Sequence, residues 1–485
     1  RFRQWNGSQW NAEGQLADIG SPLVWAEVQA GTTREEYVAA TVGTDADVNA
    51  QVFANGEWAS LQEMTTNVGN INAQGFDLAY ETLSGDAMVA YCDGDDNPSY
   101  YIWNGSTWTL GGTITLASAN NCEWLQLASN PTSDEIIVLA RDDTASANGS
   151  YEAQVWNGTA WGNSTTFGRI DEEAHEGMTV AYEEGGTLAL ILSSNFKSAN
   201  FNWSSWNGTT WSAPATQGIG NDFEWGTLVS DTGSDDMALC YQDEDTNIGY
   251  IRWNGTTNAW VGQGELLATV GKSKVDPGFS CVFENGGSRD GYIMTAYTDL
   301  TQTNYSFWNN AVWSTGQQLD TLTDTITSEL VRTRHNQVLG LFYHETNDSL
   351  RFSNWNGTIW ATTTTLENNA SVDTTPYGRP YGMGVRNDGK EGTTIASPGI
   401  NFTDGTGPYW EQMSWVDVTP GTSDILYSVQ YYDGSAWNFI PDGDLAGNES
   451  GTSVSPIDLS GLNKSTYSVI RPYASLTCDG SGNCP

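Results

Sequence analysis

The sequence predicts an all-β chain: a β-propeller of eight blades at residues 1–397, then a small β-sandwich at 398–485. Three observations predict it. An aromatic hairpin motif recurs about every fifty residues, an apolar hairpin recurs between its copies, and both patterns stop near Pro398.

The aromatic motif is Trp-Asn-Gly-x-x-Trp, at Trp5 to Trp10, Trp103 to Trp108, Trp156 to Trp161, Trp206 to Trp211 and Trp355 to Trp360. Looser copies begin at Phe53, Trp253 and Trp308, and the eight starts are 48, 50, 53, 50, 47, 55 and 47 residues apart. A fixed period of this length is the signature of a repeat architecture. Asn-Gly favours a type I′ turn with φ > 0 at both central residues, which matches the twist of a hairpin. The flanking aromatics then stand opposite each other on neighbouring strands.

Between these copies lie inner pairs of short strands. Residues 76–80 precede 86–91, 125–127 precede 135–140, 178–182 precede 187–192, and 227–229 precede 237–240. Others begin near Val24, Phe279, Leu330 and Tyr381. Their apolar runs suit strands buried on both faces. Inner and outer pairs together make four-stranded units, and radial repetition of such units leaves only short, protected edges. Seven units are complete in sequence. The eighth forms if residues 1–12 join 375–397, where 381–385 and 393–396 make an inner pair. Seven blades plus a free N-terminal hairpin is the alternative. Beyond Pro398, strand-like runs at 425–432 and 465–470 separated by Gly, Pro and Asp turns suggest the sandwich.

Composition limits function. The chain carries 59 Asp+Glu against 18 Lys+Arg, a net charge of -41, which disfavours nucleic acid and anionic membrane surfaces. No stretch reaches the 18 apolar residues of a membrane span, so no membrane insertion is expected. Arg1 in first position reads as a processed or partial chain. Six cysteines suggest a secreted protein with disulfides. Cys92 and Cys122 hold the same relative positions as Cys240 and Cys281 three blades later, which predicts pairs Cys92–Cys122 and Cys240–Cys281. Cys478 and Cys484 bracket the last loop and would pair locally.

Fifteen Asn-x-Ser/Thr sequons include Asn6, Asn104, Asn157, Asn207, Asn254 and Asn356 in the outer turns, the glycosylation candidates. The competing reading is that the turn selects Asn-Gly and the strand selects Thr. Acidic turns at Asp45/Asp47, Asp93/Asp95/Asp96, Asp142/Asp143 and Asp243/Asp245 are oxygen-rich enough for calcium, but none matches an EF-hand or nonapeptide pattern. They read as solvated turns, and no cofactor or metal is expected. His175, His335 and His344 are scattered. No Gly-x-Ser-x-Gly elbow or His-Glu-x-x-His pair occurs, and no repeated arginine set of a sialidase, so no catalytic residue is assigned.

The Trp-Asn-Gly-(Ser/Thr)-x-Trp repeats, with inner turns such as Ser84-Gly85-Asp86, resemble those of large secreted bacterial surface proteins. Some of these have pilin-like N-termini. The C-terminal stretches 431–437 and 456–463 are similar to a domain found beside such repeats. The resemblance implies an extracellular or cell-surface location and this architecture. From it, and from ends that break off inside strand-like sequence, we expect a non-catalytic structural subunit of an extracellular fibre or surface assembly. Its partners would be copies of itself, joined by strand complementation or end-to-end domain contacts. The alternative is a carbohydrate-binding propeller lectin or adhesin with glycans as partners, in which Trp stacks on a sugar and Arg or Glu holds its hydroxyls.

Overall fold

The computed structural model describes residues 1–5, 9–95, 97–117, 122–142, 150–167, 175–195, 198–221, 223–267, 278–284, 289–298, 302–309, 311–321, 325–333, 337–344, 349–368, 378–385, 393–396, 400–401, 410–415, 417, 424–433 and 437–477. Two compact units divide the chain, residues 1–387 and 388–485.

Among the described residues, the first unit contains seven antiparallel four-stranded sheets, each with its strands in chain order. Sheet 1 runs from Leu23–Ala30 to Glu57–Thr65, sheet 2 from Phe76–Tyr80 to Trp108–Thr113, and sheet 3 from Cys122–Ser129 to Trp161–Phe167. Sheet 4 runs from Met178–Tyr182 to Ala215–Gly218, and sheet 5 from Phe223–Ser230 to Ala259–Leu267. Sheet 6 spans Phe279–Glu284 to Gln317–Asp320, and sheet 7 spans Thr325–Arg332 to Thr364–Asn368. The second strand of a sheet is the most buried. Ala87–Tyr91, Ala189–Ser193 and Val338–His344 are covered along their whole length, as continuous apolar runs require.

Neighbouring first strands share no ladder, so their amides need other acceptors. Side chains supply them around the axis. Asp77 Oδ2 accepts from Leu127 N (2.7 Å), Gln126 Oε1 from Val180 N (3.2 Å), and Thr179 Oγ1 from Leu228 N (3.0 Å). Ser280 Oγ accepts from Leu330 N (2.9 Å) and Glu329 Oε1 from Met383 N (3.3 Å), while Ala26 N donates to Arg379 O (2.9 Å). Residues 378–385 therefore lie between the first strands of sheets 7 and 1. Glycines make this possible. A Cβ on Gly382 would stand 3.0 Å from Ala26 O, and one on Gly384 would stand 2.9 Å from Val28 Cγ1. Tyr381 and Met383 pack instead with Leu339, Leu341 and Tyr343 of sheet 7.

Residues 1–5 and 9–14 sit farther out between the same two sheets. Phe2 and Gly14 bridge, as do Trp5 and Trp10. Phe2 packs on Phe53 and Trp58 of sheet 1, and both tryptophans pack on Phe352 of sheet 7. The axis is filled at one level by Trp25, Trp124 and Trp225, whose rings meet across it from alternate sheets at 5.9 and 5.6 Å.

The second unit pairs Thr393–Ala396, Ile400–Asn401, Val469–Thr477, Asp424–Tyr432 and Trp437–Phe439 in one antiparallel sheet, and Gln412–Met413 with Ile457–Asp458 in a ribbon. Val429, Ile440, Leu445, Leu459, Leu462, Tyr467 and Ile470 form its core. This corrects the expected boundary at 397/398. Residues 393–396 were expected beside 381–385, yet they pair with Val469–Thr477, whose long edge offers a ladder in register from Thr393↔Leu476 to Ala396↔Tyr473.

Candidate functional site

The functional candidates lie where one sheet meets the next, and the aromatic hairpin builds them. Each motif Trp pairs with its partner across two strands, with ring centroids 5.3 to 5.9 Å apart for the pairs from Trp103–Trp108 to Trp355–Trp360. The turn differs from expectation. Only the glycine takes positive φ in these copies, at +89° for Gly105, +88° for Gly158, +81° for Gly208 and +89° for Gly357. Four residues separate the paired tryptophans, and the Asn side chain closes the loop. Asn104 Oδ1 accepts from Ser106 N and Thr107 N, and Asn157, Asn207 and Asn356 do the same in their turns. Asn254 accepts from Thr257 N at 2.8 Å. The expected type I′ geometry occurs at Asn55-Gly56, where φ is positive at both residues. Asn in this motif is thus selected by the loop, as an acceptor for its own amides. Asn6 lies outside the described residues.

In five of the hairpins the first Trp is committed to a carboxylate on the preceding sheet. Its Nε1 donates to Glu36 from Trp103 (3.1 Å), to Glu81 from Trp156 (2.5 Å), and to Glu135 from Trp206 (2.8 Å). Trp253 reaches Glu183 (3.1 Å) and Trp355 reaches Glu284 (2.7 Å). The linear sequence does not display this recurrent polar partner, because it has two addresses. Glu36 and Glu135 open a second strand, whereas Glu81, Glu183 and Glu284 close or follow a first strand. The two addresses face each other across the inner turn, as the bonds Glu81 N to Asp86 O and Asn130 N to Glu135 O show. Three-dimensional register makes them equivalent; linear alignment does not.

Two boundaries add an arginine. Between sheets 1 and 2, Arg34 Nε donates to Glu36 Oε1 at 3.0 Å, while its Nη atoms engage Ser84 O, Gly85 O and Asp86. Between sheets 6 and 7, Arg289 Nη1 donates to Gly357 O at 3.1 Å and lies 3.6 Å from Glu284 Oε1. Its guanidinium sits over the rings of Phe307 and Trp355, 4.7 and 5.1 Å from their centroids. Both arginine side chains remain partly exposed, at 28% and 30%. At these two boundaries an arginine, a carboxylate and an indole come together, the arginine partly exposed and the other two buried.

A second charged group lines the axis. Arg379 pairs with Glu27, which also accepts from Gln74 Nε2 at 2.9 Å. Burial, opposed by Arg379 and a Gln126 hydrogen bond, holds Glu176 up at about 7. Burial likewise raises Glu329 to about 7, against the pull of Arg379, and raises Asp77 well above its usual range. At the boundaries, burial raises Glu183 to about 7 and lifts Glu81 and Glu284. A carboxyl with a raised folded pKa binds its proton in the folded state first. Its stabilisation is present below the unfolded value and is lost as pH rises through the folded one. The denaturant midpoint should therefore rise when pH is lowered from 8 to 5.5, across the window between 4.5 and about 7. Urea unfolding at the two pH values checks this, and a midpoint higher at pH 8 would contradict it.

Disulfides join Cys92 to Cys122 and Cys240 to Cys281. Cys478 and Cys484 lie outside the described residues. His175 Nδ1 is 2.5 Å from Glu224 Oε2 and His344 is fully buried, so both are structural. His335 lies outside the described residues. Three of the acidic turns use oxygens internally: Asp45 accepts from Asp47 N, Asp93 from Asp95 N and Ser99 Oγ, and Asp243 from Asp245 N and Asn247, while Asp96 and Asp143 lie outside the described residues. No group of three or more metal-ligating side chains is found among the described residues. No helix is long and apolar enough to cross a membrane among them.

No protein-family model and no curated protein matches the sequence. Solved structures do match. The BP39L lectin from Burkholderia pseudomallei aligns over 71% of this chain and 100% of its own, with 10% identity and a TM-score of 0.50. The fold is a β-propeller. Aleuria aurantia lectin, described as six-bladed, aligns over 72% of this chain and 96% of its own at 14% identity and TM-score 0.39. AofleA from Arthrobotrys oligospora aligns over 60% and 89% at 11% identity and TM-score 0.37.

The expected fibre subunit is thereby corrected. The propeller's structural likeness is to the BP39L lectin, a likeness of fold at 10% identity. The physical argument for the fibre also fails at the N-terminal hairpin. The N-terminal end, one of the two on which that expectation rested, is engaged within its own chain: Phe2 packs on Phe53 and Trp58, and Trp5 and Trp10 pack on Phe352.

Proposed function

We propose that this chain is a non-catalytic carbohydrate-binding propeller, a lectin or adhesin that takes sugars in the crevices between blades. One observation carries the reading: the Trp–carboxylate pair recurs at five sheet boundaries, and at two of them a partly exposed arginine joins it. Such a set matches a pyranose, whose hydroxyls both donate and accept. The net charge of -41 favours neutral sugars over acidic ones. The lectin fold of the BP39L structure is consistent with this use.

We further read the ring as eight blades. On this reading residues 378–385 take the inner place of the eighth and residues 1–5 and 9–14 its outer place, both between sheets 7 and 1. The two disulfides favour an oxidising, extracellular setting. Saturation-transfer NMR with methyl glycosides of fucose, galactose, mannose, glucose and N-acetylglucosamine, alongside a glycan array, tests the reading. Binding of at least one neutral sugar is expected. Absence of any binding at millimolar concentration would overturn it.

A further inference from the structure

We infer that Asn104, Asn157, Asn207 and Asn356 are N-glycosylated, so that the propeller carries sugar chains along one rim. The inference is independent of the lectin reading, since it concerns sugars the chain bears and not sugars it takes.

The sequence holds fifteen Asn-x-Ser/Thr sequons, and the fold sorts them. Three are closed: Asn202, Asn304 and Asn448 are buried. Asn202 Nδ2 donates to Ser194 O at 3.1 Å, and Asn448 Nδ2 donates to Val429 O at 2.9 Å and Ile440 O at 2.8 Å. A glycan replaces one hydrogen of Nδ2 and needs solvent beyond it. These amides have no room for it.

The four outer-turn asparagines are the reverse case. Each is exposed. Each closes its turn through Oδ1, which accepts from the backbone N–H groups two and three residues on. Nδ2 is left without a hydrogen bond among the described residues. Asn254 falls outside this set. It is half-buried in a longer turn, where its Oδ1 takes N and Oγ1 of Thr257 and not the sequon residue Thr256.

The loop accounts for the asparagine but not for the hydroxyl two residues on. Asn309 has Ala311 in that place, and its turn closes all the same, with Ala311 N and Val312 N donating to Oδ1 at 3.1 and 2.9 Å. Ser106, Thr159, Thr209 and Thr358 therefore supply a group the turn does not require. The hydroxyls of Thr209 and Thr358 make no hydrogen bond among the described residues, while Ser106 Oγ and Thr159 Oγ1 donate to Oδ1 of their own asparagine at 2.8 and 2.9 Å. An exposed asparagine with a free Nδ2 and a hydroxyl at the second following residue is the acceptor pattern of N-glycosylation. In the transfer, Nδ2 bonds to the anomeric carbon of an activated glycosyl phosphate held by a transferase. The bond from that carbon to the phosphate oxygen breaks, the phosphate leaves with the electron pair, and Nδ2 gives one proton to a base of the transferase.

The four turns share one rim. In each sheet the antiparallel strands follow chain order, so the outer turn lies at the same end as the inner one. Inner turns meet their neighbours: Leu83 N donates to Asp134 at 2.7 Å, Asn130 Nδ2 to Gly186 O at 2.9 Å, and Gly185 N to Asp235 at 3.0 Å. Arg289, between the first two strands of sheet 6, reaches Gly357 O in the outer turn of sheet 7 at 3.1 Å. The glycans stand at this end and leave bare the end where one sheet passes to the next.

Glycopeptide sequencing by electron-transfer fragmentation, on the chain purified from its own source, tests this. Sugar is expected on Asn104, Asn157, Asn207 and Asn356 and not on Asn202, Asn304 or Asn448. Four bare outer turns, or sugar on any of the three buried asparagines, would overturn the inference. Thr209→Ala, made in the source organism, should lose the sugar at Asn207 completely with an unchanged urea midpoint, and Thr209→Ser should keep it. Should Thr209→Ala not fold, Thr358→Ala is the equivalent change for Asn356. Sugar retained in the alanine variant would also overturn the inference, because the hydroxyl would then have no part in the modification. Sugar binding in the NMR panel is a separate measurement, so the lectin reading survives failure here.

Discussion

Deleting residues 1–14 should destabilise the propeller by several kcal/mol, the largest loss expected from removing any exposed segment. The deletion removes Phe2, which packs 5.6 Å from Phe53 and 5.8 Å from Trp58, and Trp5 and Trp10, which pack 4.9 and 4.8 Å from Phe352. These are half-buried aromatic residues, so each contributes about 1–3 kcal/mol, and roughly 5 kcal/mol is expected for the three together. Neighbouring contributions need not add, which sets the precision of the sum. The ion pair from Arg1 to Glu367 at 2.9 Å is exposed and should contribute little. Trp5→Ala with Trp10→Ala should therefore reproduce most of the loss, whereas Arg1→Ala should leave the denaturant midpoint nearly unchanged. Chemical unfolding followed by tryptophan fluorescence measures all three. A deletion that leaves the midpoint in place would mean that the ring closes without its N-terminal hairpin.

Much of this architecture was legible in the sequence because the forces that build it are local and periodic. Trp-Asn-Gly-x-x-Trp marks a hairpin by itself, and apolar runs such as Ala87–Tyr91 and Val338–His344 announce strands covered on both sides. The cysteine pairs were legible because Cys92 and Cys240 both lie at the apolar second strand of a unit, with a cysteine at the first strand of the next, although the register places Cys92 two residues farther along than Cys240. What stayed hidden depends on register between strands. Glu36 and Glu81 occupy different positions in their repeats, yet each receives a tryptophan from the next sheet. Residues 393–396 carry the pattern of an inner strand, and nothing in four residues says which of two sheets will pair with them. The turn type was hidden for a related reason. Asn-Gly is compatible with both a two-residue and a four-residue loop, and the Trp–Trp pairing across four residues decides between them at Asn104 and Asn157.

The disulfides carry the second large effect, and the two should not be equal. Cys92–Cys122 closes a loop of 30 residues and Cys240–Cys281 one of 41. Loop-closure entropy alone gives each about 3.5–4 kcal/mol and separates them by only about 0.3 kcal/mol. Their surroundings separate them further. Between sheets 2 and 3, Trp156 is latched to Glu81, Leu127 N bonds Asp77, Leu125 N bonds Gln74 O at 3.1 Å, and Thr82 Oγ1 bonds Asn130 O at 2.7 Å. Between sheets 5 and 6 the latch is replaced. Trp308 packs on Tyr250 with centroids 5.3 Å apart, and the carboxylate of Asp236, which could have received it, is taken by Arg252 and Gly255 N. Sheet 6 therefore leans on its disulfide more than sheet 3 does. Cys240→Ala with Cys281→Ala should cost at least 1 kcal/mol more than Cys92→Ala with Cys122→Ala, and hydrogen exchange should quicken first in Phe279–Glu284. Equal costs for the two pairs would reduce both bridges to their loop entropy, and a larger cost at Cys92–Cys122 would reverse the argument from the latch.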